Sequence, residues 1–162
     1  MKLEYTPQIE LHRDNYTITD DRSKFQIEVI HDFLANHSYW AQCIPIEIVH
    51  SCINGSLCFG ILDGSNQVGF ARVVTDGSTY GYIADVFVLP GHRGKGLSKW
   101  LMAAIMYDPR LQGFRRWSLA TRDAQGLYAQ FGFAVASNPE RKMEILQRDI
   151  YKSGKENNLE LP

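Results

Sequence analysis

Polar and apolar positions change period several times along this chain, and each change marks an expected element. "NYTITD" (15–20) alternates, as a half-buried strand does. Ser23 and Gln26 then have capping-box spacing, and Ile27, Ile30, Phe33 and Leu34 fall on one helical face. A second short helix is expected within 46–52, ended by the Asn54-Gly55 turn. "SLCFGILD", "VGFARVVT" and "TYGYIADVFVL" follow, separated by "GSNQ" and "DGS". Strands joined by such short glycine turns form an antiparallel meander. Leu97, Trp100, Leu101, Ala104 and Ile105 recur at i, i+3, i+4, i+7 and i+8, an amphipathic helix that Asp108-Pro109 stops. "RRWSLAT" (115–121) reads as a strand. Asp123 reads as the cap of a helix through Phe131, punctuated by Gly132, and "RKMEILQ" (141–147) as a last strand. The pattern predicts a mixed α/β domain. Its central, mostly antiparallel sheet would have about six or seven strands, flanked by about four helices.

Composition narrows the partners. The 162 residues suit one domain, expected over 1–151, with the polar segment "KSGKENNLELP" (152–162) as a tail outside the core. The chain has 17 basic and 18 acidic residues, so charge argues for neither a nucleic-acid nor a membrane partner. No apolar run has the length of a membrane span, and "MKLEYTPQIELHRD" has no apolar signal core. Cys43, Cys52 and Cys58 form neither a CxxC pair nor an even disulfide set. A cytoplasmic location is expected, with the cysteines as small buried hydrophobes. The five histidines show no paired ligand spacing, so no metal site is expected.

The candidate chemistry lies in "VLPGHRGKGLSKWLM" (88–102), where a strand gives way to three glycines and then a helix. Unpaired N–H groups at a helix start, together with the helix dipole, make an anion site, and glycines let a phosphate approach them. The Walker pattern GxxxxGK[ST] fails because Gly96 follows Gly94-Lys95 and position 89 is leucine. The dinucleotide pattern GxGxxG fails at Lys99. A third pattern, R/Q-x-x-G-x-G/A, is met by Arg93, Gly94, Lys95, Gly96, Leu97 and Ser98, with serine as the final small residue.

This third pattern resembles the pyrophosphate loop of the GNAT (Gcn5-related N-acetyltransferase) superfamily. "DAQGLYAQFGF" (123–133) is similar to that family's second signature, and the expected order β-α-α-β-β-β-α-β-α-β is similar to its topology. The likeness extends over about residues 15–146, and 86–133 is its specific part. It implies an N-acetyltransferase that carries the acetyl group of acetyl-CoA to a primary amine by direct attack in a ternary complex. Residues 93–98 would bind the pyrophosphate, and the main chain of Val86, Phe87 and Val88 would hold the pantetheine arm and thioester carbonyl. Tyr128 would protonate the departing thiolate. Asp85 would serve as base, often through water, or else pair structurally with a neighbouring strand. Thr121 stands where family members often have an asparagine that helps hold the CoA arm, and its hydroxyl keeps the capacity to hydrogen-bond. "HSYWAQ" (37–42) falls where the fold usually builds its acceptor wall, so Tyr39 and Trp40 line a pocket or pack on the sheet. A non-catalytic CoA-binding module is the competing reading, and a homodimer stays open.

Overall fold

The computed structural model describes residues 6–153. Six strands form one sheet in the order β1 (Glu10–Arg13), β2 (Tyr16–Thr19), β3 (Leu57–Asp63), β4 (Asn66–Thr75), β5 (Tyr80–Val88) and β6 (Arg116–Ser118). Every neighbouring pair is antiparallel except β5–β6, which is parallel. The helices are α1 (Ile27–Asp32), α2 (Ile46–Asn54), α3 (Leu97–Met106), α4 (Gln125–Ala129) and α5 (Ile150–Ser153). A π-helical stretch, Phe33–His37, prolongs α1.

The alternation of the central strands assigns the two faces of the sheet. Phe59, Ile61, Ala71, Val73 and Ile83 bury one face under Leu97, Leu101, Met102 and Ile105 of α3. Cys58, Phe70 and Phe87 bury the other face beneath Ile30, Phe33, Leu34, Val49 and Ile53, contributed by α1, its extension and α2. The α1 side is also pinned by a reciprocal pair. Gln26 N donates to Gln67 Oε1 at 2.7 Å, and Gln67 N donates to Gln26 Oε1 at 2.8 Å.

One irregularity in β5 shapes everything downstream. Arg72 pairs with Ala84 and Phe70 with Phe87, so two residues of β5, Asp85 and Val86, oppose the single residue Ala71. This is a β-bulge, which shifts the side-chain alternation by one. Ile83 and Val88, five apart, therefore share the α3 face, while Phe87 joins the α1 face. Asp85 takes the left-handed conformation at the bulge, with φ +54°.

Several expectations are corrected. Ser23 caps no α-helix: it sits in a 3-10 turn, Arg22–Lys24, where Asp21 Oδ1 accepts its N–H. The added strand β1 pairs with β2 in a hairpin. The strand expected over 115–121 keeps only three residues. Asp123 does not cap α4; Thr121 Oγ1 accepts the N–H of Ala124 instead, at 3.0 Å, and Asp123 pairs with Arg122. The expected final strand over 141–147 is absent. Those residues join no ladder, because alternation makes a strand only where another strand offers its edge. Cys58 is buried as expected, whereas Cys43 is exposed at a positive φ of +63°. The expected tail at 152–162 lies mostly beyond the described residues.

Candidate active site

The loop between β5 and α3 forms the candidate anion site. Gly94 and Gly96 have φ of +75° and +70°, where a side chain brings a steric penalty of about 1–2 kcal/mol. A Cβ at either position would meet nothing within 4 Å, so the glycines serve backbone conformation and leave space in front of the loop clear. Leu97 is buried in the core and anchors the first turn of α3, followed by Ser98. The result fits a phosphate: a left-handed loop, an open approach, and helix N–H groups facing it.

Side chains tether this loop. Lys95 Nζ donates to Tyr16 Oη at 2.9 Å, and Tyr16 Oη lies 3.0 Å from His92 Nδ1. Arg13 donates to the Lys95 carbonyl at 3.1 Å while its guanidinium stacks 4.6 Å above Trp100. The β1–β2 hairpin thus holds the loop. Arg93 points back, its Nε donating to the Val88 carbonyl at 2.9 Å. That carbonyl therefore already has one partner.

The parallel ladder of β5 and β6 lasts three rungs: Tyr80–Arg116, Gly81–Trp117 and Tyr82–Ser118. Beyond Tyr82 the two strands part, and Val86, Phe87 and Val88 have no β6 partner on that side. Phe87 and Val88 keep their pairing with β4. The strands separate just before the bulge, which leaves main chain free for another chain of atoms.

Around the bulge, the Asp85 carboxylate is held twice. Arg72 Nε donates to Oδ2 at 2.5 Å, and Trp40 Nε1 donates to Oδ1 at 2.8 Å. The Asp85 and Arg72 side chains are largely buried. Burial works against the Arg72 charge, but the facing carboxylate more than offsets it and raises the guanidinium pKa. Each carboxylate oxygen still has a lone pair free for a water.

Tyr128, on α4, is buried and packs edge-on to Phe133 at 6.1 Å. Burial, helped by the nearby Tyr39 hydroxyl, pushes its pKa up to about 12. It is therefore a fully protonated phenol at neutral pH. Tyr39 also bridges the site: its hydroxyl accepts the Arg122 N–H at 2.9 Å, and the Arg122 guanidinium stacks 4.0 Å over its ring. Tyr39 and Trp40 together join the α1–α2 connection to both β5 and the β6–α4 loop. Sequence reasoning missed Arg72, Tyr16 and the bond of Trp40 to Asp85. The one available signal was Arg72, a charge within the apolar run "VGFARVVT".

Residues 54–135 match the acetyltransferase (GNAT) domain. The chain belongs to the GNAT family. A crystal structure of a GNAT-family protein from Xanthomonas campestris pv. campestris superposes with a TM-score of 0.83 at 46% identity, covering 85% of this chain and 97% of that one. A Gibberella zeae protein named as an acetyltransferase is 29% identical over 140 residues, 73% of this chain and 78% of its own. Fold alone is shared with N-acetylglutamate synthase from Neisseria gonorrhoeae, solved with coenzyme A and N-acetyl-glutamate. The TM-score there is 0.61 at 21% identity, over 90% of this GNAT chain and 34% of the synthase.

Proposed function

We propose that this GNAT domain transfers the acetyl group of acetyl-CoA to a primary amine by direct attack in a ternary complex. The observation that carries the reading is the parting of β5 from β6 after Tyr82, with the left-handed loop at Gly94 and Gly96 following β5; the buried phenol of Tyr128 supports it. Arg93, Gly94, Lys95, Gly96, Leu97 and Ser98 offer main-chain donors to the pyrophosphate, and Thr121, whose Oγ1 accepts the Ala124 N–H, keeps its hydroxyl proton to offer the CoA arm. The main chain of Val86, Phe87 and Val88 holds the pantetheine arm, and its donors stabilise the oxyanion.

The amine nitrogen forms a bond to the thioester carbonyl carbon, and the C–S bond breaks. Tyr128 gives its proton to the departing thiolate and recovers one from solvent. Asp85 takes the amine proton through a bridging water, since both of its oxygens are engaged by Arg72 and Trp40. Tyr39 and Trp40 wall the acceptor side.

The test is release of free CoA thiol from acetyl-CoA in the presence of a panel of primary amines. Amine-dependent release is expected. Binding of CoA with no release for any amine would indicate a non-catalytic CoA-binding module.

A further inference from the structure

The connection between the extended α1 and α2 turns two aromatic side chains outward. Ser38 and Ala41 are its buried anchors, 2% and 6% exposed. Ser38 Oγ donates to the Leu34 carbonyl at 2.6 Å and accepts the Ala41 N–H at 3.0 Å. Ile44 is buried just beyond, and its N–H donates to the Ala41 carbonyl at 3.1 Å. With both ends of the turn fixed, Tyr39 and Trp40 between them are left 42% exposed each. Two neighbouring aromatics held at the surface beside a candidate catalytic carboxylate mark a place for a ligand to cover.

Both rings are locked. The Trp40 indole N–H donates to Asp85 Oδ1 at 2.8 Å, and the ring lies 6.3 Å from that of Phe33. The Tyr39 hydroxyl accepts the Arg122 N–H, and the Arg122 guanidinium covers the Tyr39 ring. The two rings meet at 4.9 Å between centroids with their planes 83° apart, so they form a corner. A flat group seated there stacks on one ring and meets the other edge to face, the two geometries that aromatic pairs favour. Because the walls are already ordered, little entropy is lost in them on binding. Charge then chooses among ligands. The carboxylates bonded to this assembly are Asp85 and Asp123, and each already faces an arginine, Arg72 and Arg122 respectively. A second ammonium on the ligand would have to compete with one of those arginines, and a carboxylate with one of those aspartates. An uncharged ring competes with neither.

We propose that Tyr39 and Trp40 are the specificity platform for the acceptor, a primary monoamine that carries an aromatic ring on a short alkyl chain. The inference rests on the proposed acetyl transfer and names its acceptor class. The ring of the amine seats in the Tyr39–Trp40 corner. The N–H end of the indole touches Asp85, so an amine on a short linker from that corner reaches the water that relays its proton to the carboxylate.

The test is calorimetric binding to the protein saturated with CoA, which has no acetyl group to give. The probes are phenethylamine, butylamine, putrescine and γ-aminobutyrate. Phenethylamine is expected to bind about tenfold more tightly than butylamine, and neither doubly charged probe more tightly than butylamine. Tyr39→Leu and Trp40→Leu should each cut that preference to about threefold or less, whereas Tyr39→Phe, which keeps the ring, should retain it. Both side chains are exposed, so the variants should fold, with circular dichroism as the check. Equal affinity for phenethylamine and butylamine, no phenethylamine binding at millimolar concentration, or tighter binding of putrescine or γ-aminobutyrate overturns the proposal. A preference that survives both leucine substitutions overturns it equally, by seating the ring elsewhere. Failure of the proposed activity reads differently: no amine releases thiol from acetyl-CoA, whatever the order of binding.

Discussion

Residues 93–98 and the surroundings of Asp85 flank the same few residues of β5, yet they are built in opposite ways. The loop is made of consecutive residues, and what matters in it is backbone: two left-handed glycines and the first turn of α3. Its side-chain ties to Tyr16 and Arg13 steady a shape that the glycines already allow. The Asp85 centre is assembled from β5, β4 and the α1–α2 connection, and what matters there is side chains. A site made from backbone should suffer from added bulk and tolerate the loss of a side chain. A site made from distant side chains should do the reverse.

The largest expected effect breaks the loop. Gly96→Asp adds charge and bulk in front of the helix start; its Cβ meets no protein atom within 4 Å, so the expected cost to the fold is the left-handed strain of about 1–2 kcal/mol. Saturating CoA stabilises a binding-competent native state by about 2.7 kcal/mol at a hundredfold excess over Kd. That gain should vanish in the variant. An unchanged CoA-dependent rise in Tm would remove the loop from cofactor binding.

Next comes Tyr128→Phe, which keeps the ring and deletes the proton. Loss of a general acid slows chemistry by about 10²–10⁴-fold, and a thiolate leaves readily, so kcat should fall at the low end with CoA affinity retained. The alkaline stability profile checks the same group. Because folding raises this pKa from its ordinary ~10 to about 12, the tyrosinate is disfavoured in the folded state. Its contribution is intact below pH ~10 and is lost as pH climbs towards about 12. In a pH titration of unfolding free energy, the Phe variant should lack that share of the decline.

Asp85→Asn tests the base. With proton transfer relayed by water, the loss should be about tenfold, below the usual range for a directly placed base. Turnover should recover as pH rises towards the amine pKa. An equal loss at every pH would indicate that Asp85 holds the bulge for structural reasons.

The smallest effect sharpens the contrast from the other side. Tyr16→Phe frees Lys95 and His92 from their shared hydroxyl, and one such hydrogen bond contributes about 1 kcal/mol. CoA Kd should rise by no more than about fivefold, measured by calorimetry. A loss as large as that of Gly96→Asp would mean that the tether, not the glycines, shapes the loop.

Much of the fold was legible because its signals are local. Turns such as "DGS" bracket the meander, and the spacing of Leu97, Leu101, Ala104 and Ile105 marks a helix wherever it packs. The misreadings share one cause: they required knowing a neighbour. Asp123 has the chemistry of a cap for α4, but the path of the chain leaving β6 puts Ala124 at the cap position, its N–H donated to Thr121 Oγ1. The segment 141–147 alternates as a strand should, yet whether it pairs depends on an edge contributed from outside its own sequence.

The sequence by itself determined the loop before α3, because glycine readily takes the left-handed φ found at Gly94 and Gly96. It also placed Asp85 and Tyr128 on their elements. Only tertiary structure decided that Asp85 sits on a bulge, gripped by a guanidinium 13 residues away and an indole 45 residues away. Only burial, helped by Tyr39, raised the Tyr128 phenol from its ordinary ~10 to about 12. Backbone conformation is set by a residue and its immediate neighbours. The charge state and reach of a side chain are set by whatever the fold packs against it.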